Sequence, residues 1–224
     1  MKTVLSTRIL NLSQKELLLN SGIGFVEYDA LHISILDFEI PHNAEHVIVT
    51  SKNGAKSFLK AFKSISKSTL KETFKLYCVG EKTRKFLEES GFPVVETASS
   101  ALELGHLIVL KYKTNRFIFI SGNWRRDEIP NLFSKNNIQY EEFQGYKTSF
   151  NPKAFDAEFD GYLFYSPSGI KSFLESNMIP HHPLFCIGET TSKEARKHSE
   201  NVIVANKPTI ENVLVQVVKH FKRI

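Results

Sequence analysis

At 224 residues the chain is long enough for one large domain or two small ones, and 42% hydrophobic with 24% charged residues is close to the globular average. Its formal charge of +5 is spread along the chain, densest at Trp124-Arg125-Arg126. That is a mild field for attracting anions and lacks the basic block of a nucleic-acid arm.

Cys78 and Cys186 stand far apart without C-x-x-C spacing, so neither a zinc site nor a disulfide framework is suggested, and a reducing compartment fits. Met1 to Leu10 holds no apolar core of signal-peptide length, and no apolar run approaches the roughly 18 residues of a membrane span. The expected location is the cytoplasm, with no membrane contact.

From the N-terminus, short apolar runs alternate with longer amphipathic stretches. Val4-Leu5 and Phe25-Val26 are predicted strands, and an extended segment, Ile33 to Ile40, ends at Pro41. Val47 to Val49, Leu76 to Val79, Val94-Val95 and Phe117 to Ile120 continue the strands, with helices predicted at Gly54 to Ile65, Glu81 to Ser90, Ala101 to Lys111 and Asp127 to Lys135. A second extended segment, Glu141 to Phe150, stops before Pro152. Strands at Tyr162 to Tyr165, Phe185 to Ile187 and Val202 to Val204 then alternate with helices at Gly169 to Ser176, Thr191 to His198 and Ile210 to Phe221. Such alternation predicts parallel sheets covered on both faces. The two extended segments lack an adjoining helix, as linkers that cross between domains would.

The sequence repeats internally. Val47 to Leu59 aligns without a gap to Tyr162 to Leu174, sharing a serine, a glycine and the ending Lys-Ser-Phe-Leu, and Cys78 to Lys85 aligns with Cys186 to Lys193. A weaker match relates residues 2–28 to 116–143, each reading strand, polar turn, helix, strand. Duplication of an element of roughly 110 residues accounts for all three and suits two small doubly wound domains.

Strand-to-helix turns hold the candidate chemistry: Thr50 to Gly54, Gly80 to Thr83, Ser121 to Asn123, Ser166 to Gly169 and Gly188 to Thr191. Small hydroxyl and glycine residues there expose main-chain N–H groups at helix N-termini, each worth about 0.3–1 kcal/mol to an anion on a wet surface. Taken singly, Ser51, Asn53, Ser168 and Thr191 read as helix caps; their repetition in both halves favours a site for a polyanion. No nucleotide-binding glycine motif, H-E-x-x-H or G-x-S-x-G occurs. His181 and His182, between Pro180 and Pro183, read as a solvated turn.

In order along the chain, the Thr-Ser-x-Asn-Gly turn with Phe58, the Val79 to Thr83 turn, the Gly122 turn with Arg125 and Arg126, Gly145-Tyr146-Lys147-Thr148, Ser166-Pro167-Ser168-Gly169, Ile187 to Thr191 and Lys207-Pro208-Thr209 resemble the uroporphyrinogen-III synthase family. The resemblance covers essentially the whole chain. It implies two similar flavodoxin-like α/β domains joined by a two-stranded connector. Residues 1–36 with 150–224 would form a discontinuous domain and 39–143 an inserted one, with crossing linkers at 33–40 and 141–150. It further implies a cofactor-free, cytoplasmic, monomeric lyase of haem biosynthesis, with no nucleic-acid or membrane partner and transient contact with the preceding pathway enzyme. That lyase would cyclise hydroxymethylbilane, a linear tetrapyrrole, through a spiro intermediate that inverts the last pyrrole, in a cleft between the domains.

On that resemblance Tyr146 is the candidate catalytic acid, and Ser51, Asn53, Gly80, Thr83, Gly122, Ser166, Ser168, Gly188, Thr190 and Thr191 are candidate substrate contacts. The family's proline after its first Thr-Arg is replaced here by Ile9, which weakens the case for Arg8. The alternative from another class is a non-catalytic two-domain binding protein for a small polyanionic ligand.

Overall fold

The short apolar runs do become strands, because a run of β-branched and aromatic side chains can be covered from both faces once helices pack above and below it. The computed structural model describes residues 1–64, 73–179 and 181–222. Ile65 and Pro180, part of the helix and turn expected from the sequence, lie outside the described residues. In chain order the elements are β1 (Lys2–Ser6), α1 (Leu12–Leu19), β2 (Ile23–Glu27), β3 (Leu31–Ile35), β4 (His46–Val49), α2 (Lys52–Lys63), β5 (Lys75–Val79), α3 (Glu81–Glu89), β6 (Val94–Ala98) and α4 (Ala101–Lys111). Next come β7 (Phe117–Gly122), α5 (Glu128–Asn136), β8 (Tyr140–Phe150), β9 (Gly161–Phe164), α6 (Pro167–Leu174), β10 (Leu184–Cys186), α7 (Glu189–Ala195), β11 (Val202–Val204) and α8 (Ile210–Lys222).

By contacts the chain divides into one unit of Met1–His32 with Ser149–Ile224 and a second of Ile33–Thr148. The first holds a five-stranded parallel sheet of order β11-β10-β9-β1-β2. The second sheet runs β3-β8-β7-β4-β5-β6, with its last five strands parallel. Both follow the flavodoxin-like order 2-1-3-4-5, the second once β7 and β8 take the places of β1 and β2. The weak match of 2–28 to 116–143 therefore reflects equivalent strand positions. The register repeats as well: Val49 lies opposite Cys78, and the aligned Phe164 lies opposite Cys186.

Each sheet separates two apolar layers. In the second unit Val47 and Val49 face α2, while Ile48 faces the layer of Phe117, Phe119 and Phe133. Phe58, Phe62, Phe74 and Phe92 interlock there, mostly edge to face, at centroid distances of 4.8–6.2 Å. Such pairs add about 0.5–1.5 kcal/mol each beyond area burial, which is one use for so many phenylalanines.

Three local differences from the sequence reading stand out. Helix α6 begins at Pro167 and not Gly169, because Ser166 caps it and proline at the first helical position needs no N–H partner. Of the first extended segment, Ile33 to Ile40, only the first three residues are strand, the end of β3 (Leu31–Ile35), and 36–40 is irregular. The second segment is one continuous strand whose first half pairs with β7 inside the sheet, since extended backbone needs hydrogen-bond partners of its own.

Candidate functional site

Parallel strands end on a common edge, so the turns after β4, β5, β6 and β7 share one rim of the six-stranded sheet. Strand order reverses between β4 and β7, and open α/β sheets bind ligands in the crevice at such a point. Here Ser51 opens α2 from extended backbone, its Oγ accepting the Gly54 N–H at 3.1 Å. The N–H groups of Lys52 and Asn53 have no described acceptor. A β-carbon on Gly54 would sit 3.2 Å from the Ile120 carbonyl, so glycine lets the helix start approach β7 closely.

Tyr146 comes to the same place from β8. The Ser51 hydroxyl donates to its phenol oxygen at 3.0 Å, and the hydroxyl end of its ring lies against Gly122, where a β-carbon would collide with it. The structure thus brings together Ser51, Gly122 and Tyr146. Gly80, at φ 84°, holds the left-handed conformation that favours glycine and leads into α3.

Thr83 is a correction to the amide reading of these turns: it is buried and its N–H is bonded to the Gly80 carbonyl at 3.0 Å. The donors left without a described acceptor at that turn are the N–H groups of Glu81 and Lys82.

Where β7 ends, a cavity of about 440 Å³ is lined by Ser121, Gly122, Asn123, Arg125, Glu142 and Gln144. Glu142 grips the Arg125 guanidinium with both oxygens, at 2.5 and 3.0 Å, and accepts from Ser121 at 2.6 Å. The bond to Glu142, with a further one to Asp127, raises the Arg125 pKa and keeps its charge fixed. Glu142, Gln144 and the Ser99-Ser100 turn that caps α4 were missed from the sequence. Only the serine pair carried a signal, a hydroxyl residue just before an amphipathic stretch; Glu142 meets Arg125 through strand pairing that spacing cannot show.

The first unit repeats the plan. Ser166 caps α6 by accepting from the Gly169 N–H at 3.0 Å, and Ser168 lies 3.3 Å from it. Gly188 precedes α7, where Thr191 is buried with its N–H on the Gly188 carbonyl at 3.1 Å, so the donors without a described acceptor are those of Glu189 and Thr190. At this sheet's own reversal, between β1 and β9, Thr7 donates to the Leu163 carbonyl at 2.7 Å. Tyr165, raised in pKa by burial, lies 3.1 Å from Ser6 Oγ. Cys78 and Cys186 are buried, and burial raises both thiols, Cys186 to about 12. Among the described residues no group of His, Cys, Asp and Glu is placed to hold a metal ion.

The family model for uroporphyrinogen-III synthase HemD matches residues 15–214. The chain belongs to the uroporphyrinogen-III synthase family. A curated relative, the porphyrin biosynthesis protein HemD of Ruminiclostridium josui, is 27% identical over 185 residues; these are 75% of this chain but 36% of that protein, so the chain spans about a third of its relative's length. The uroporphyrinogen-III synthetase of Helicobacter pylori 26695 superposes with a TM-score of 0.76 at 16% identity, covering 98% of this chain and all of the other. A mutant uroporphyrinogen III synthase from the extremely thermophilic bacterium Thermus thermophilus gives 0.66 at 11% identity, covering 100% and 99%. At these identities the two structures show that the chain has the uroporphyrinogen-III synthase fold.

Proposed function

We propose that the chain is a cyclising lyase that converts hydroxymethylbilane to uroporphyrinogen III, as membership of the uroporphyrinogen-III synthase family supports. The observation that carries the reading to particular atoms is the phenol of Tyr146, held by Ser51 at the reversal point of its sheet. Because Ser51 donates in that bond, the phenol's own proton is directed at no described residue and is available to a substrate.

In the proposed reaction Tyr146 gives this proton to the departing terminal hydroxyl, which leaves as water, and the pyrrole becomes an electrophilic azafulvenium cation. The substituted carbon of the last ring attacks it to form a spiro intermediate. Fragmentation and re-closure then invert that ring, and the proton lost on re-closure restores the phenol. The turns of Ser51, Asn53, Gly80, Gly122, Ser166, Ser168, Gly188 and Thr190 are the candidate receivers of the substrate's acetates and propionates, chiefly through main-chain N–H groups. Since the linear chain closes unaided to the uninverted isomer, the protein acts mainly by imposing a conformation on it.

The reading includes a cytoplasmic monomer; no described helix is long and apolar enough to cross a membrane. The test is to supply enzymatically made hydroxymethylbilane to the purified protein and identify the ring isomer that accumulates. The inverted isomer is expected, and accumulation of the uninverted isomer at the unaided rate overturns the reading.

A further inference from the structure

The direction of Tyr146 is set by a defect in the strand that carries it. Between β7 and β8 the register runs Ser121 to Gln144 and then Gly122 to Tyr146, which leaves Gly145 as an extra residue, a bulge. Bulges bend a strand and re-aim the side chains beside them. This one is held from several sides. The buried Ser57 hydroxyl of α2 donates to the Gly145 carbonyl, and the Leu36 N–H donates to the same oxygen at 2.9 Å. There is no room for a side chain at Gly145, where a β-carbon would run into Ser57 and Ile120.

On the far side of Tyr146 a second clamp closes. The Asn123 side chain accepts the Thr148 N–H at 2.7 Å and donates to the Thr148 carbonyl at 2.9 Å. One side-chain amide thus copies a ladder pair just past Gly122, where β7 ends. Residues 145 and 148 are both fixed, and the tyrosine between them has its ring on Gly122 and its oxygen on Ser51.

We propose that Ser57 and Asn123 are positioning residues that aim the Tyr146 phenol. The proposal rests on the reading of Tyr146 as the acid, and gives a role to two side chains that are not among the candidate site residues. Asn123 is exposed, and the Gly145 carbonyl keeps its bond from Leu36 when Ser57 is shortened, so both can be changed in a folded protein.

The experiment measures steady-state turnover of hydroxymethylbilane by Asn123→Ala and Ser57→Ala, alone and combined with Tyr146→Phe. Each is expected to lower kcat about ten-fold with KM within about two-fold, because a small misplacement of a catalytic group has a large effect on rate. In the Tyr146→Phe background the same changes should add less than about two-fold, since the group they aim is already gone. Full activity of both single variants, or an equal loss in both backgrounds, overturns the proposal. A parent protein that makes no inverted isomer sinks the functional reading and leaves the positioning to a second measurement. NMR of protein labelled at the hydroxyl-bearing ring carbon of tyrosine, with Tyr146 assigned through Tyr146→Phe, should show its resonance shifted or broadened in both variants. An unmoved, equally sharp resonance overturns the positioning role whatever the activity.

Discussion

The Ser51 hydroxyl stands between two groups, accepting the Gly54 N–H at 3.1 Å and donating to the phenol oxygen of Tyr146 at 3.0 Å. A helix cap and a candidate acid therefore share one oxygen. The proton of the phenol is left for a ligand, and that arrangement leads to the first prediction. Tyr146→Phe should lower kcat for hydroxymethylbilane on the order of tens-fold, with KM within about two-fold and the thermal midpoint unchanged. Steady-state kinetics with a melting curve checks it; parental turnover would remove Tyr146 from the mechanism.

The aligned serines of the repeat should separate capping from chemistry. Ser166→Ala and Ser51→Ala each remove a hydroxyl that accepts a helix N–H, and each should lose about 1 kcal/mol in urea unfolding. Ser51→Ala should also lower kcat several-fold more than Ser166→Ala, because it alone removes the donor to Tyr146. Equal kinetic effects in the two variants would contradict the coupling.

Two glycines on neighbouring strands should respond in opposite ways to an added methyl. At Gly122 the methyl meets the end of the Tyr146 side chain, which can swing away, so Gly122→Ala should stay within about 1 kcal/mol of the parent in stability while its turnover falls toward that of Tyr146→Phe. At Gly145 the methyl meets buried Ser57 and Ile120, so Gly145→Ala should lose about 1–3 kcal/mol. Denaturant unfolding and turnover, measured together, test both; a Gly122→Ala variant with parental turnover would show that the ring's seat does not matter.

Asp160 ties β1 to the entry of β9, accepting from Lys2 Nζ and from the Thr3 N–H, both at 2.8 Å. The Lys2 bond first, then the Thr3 N–H, holds its carboxyl below the ordinary value of 3.8. A depressed folded-state pKa stabilises the fold above the unfolded value and ceases to do so as pH falls through the folded one. Asp160→Asn should therefore be less stable than the parent at neutral pH, and the gap should close below about pH 3.8. A gap that stays constant across urea titrations at several pH values would show that the charge is not what stabilises.

Much of the fold was legible because its causes are local. Alternating apolar runs and amphipathic stretches declare strands and helices, and the two Lys-Ser-Phe-Leu endings declare a duplication. A serine before a helix also announces a cap, which is why Ser51 was found; for α6 the sequence reading put the cap at Ser168, whereas Ser166 takes it because Pro167 can open the helix. Long-range pairing was not legible. Nothing near Ser57 in the chain indicates that its hydroxyl meets the Gly145 carbonyl, or that the aligned Ser172 accepts the Asn151 N–H at 3.1 Å, so that each copy of the repeated serine holds the chain stretch that follows Gln144. Glu142 looked like one acidic residue among 24 until β8 paired with β7 and set it against Arg125. Side-chain type and spacing are written in the sequence. The register of one strand against another, and with it the bulge that turns Tyr146 toward Ser51, arises only when the backbone groups of distant segments satisfy one another across a sheet.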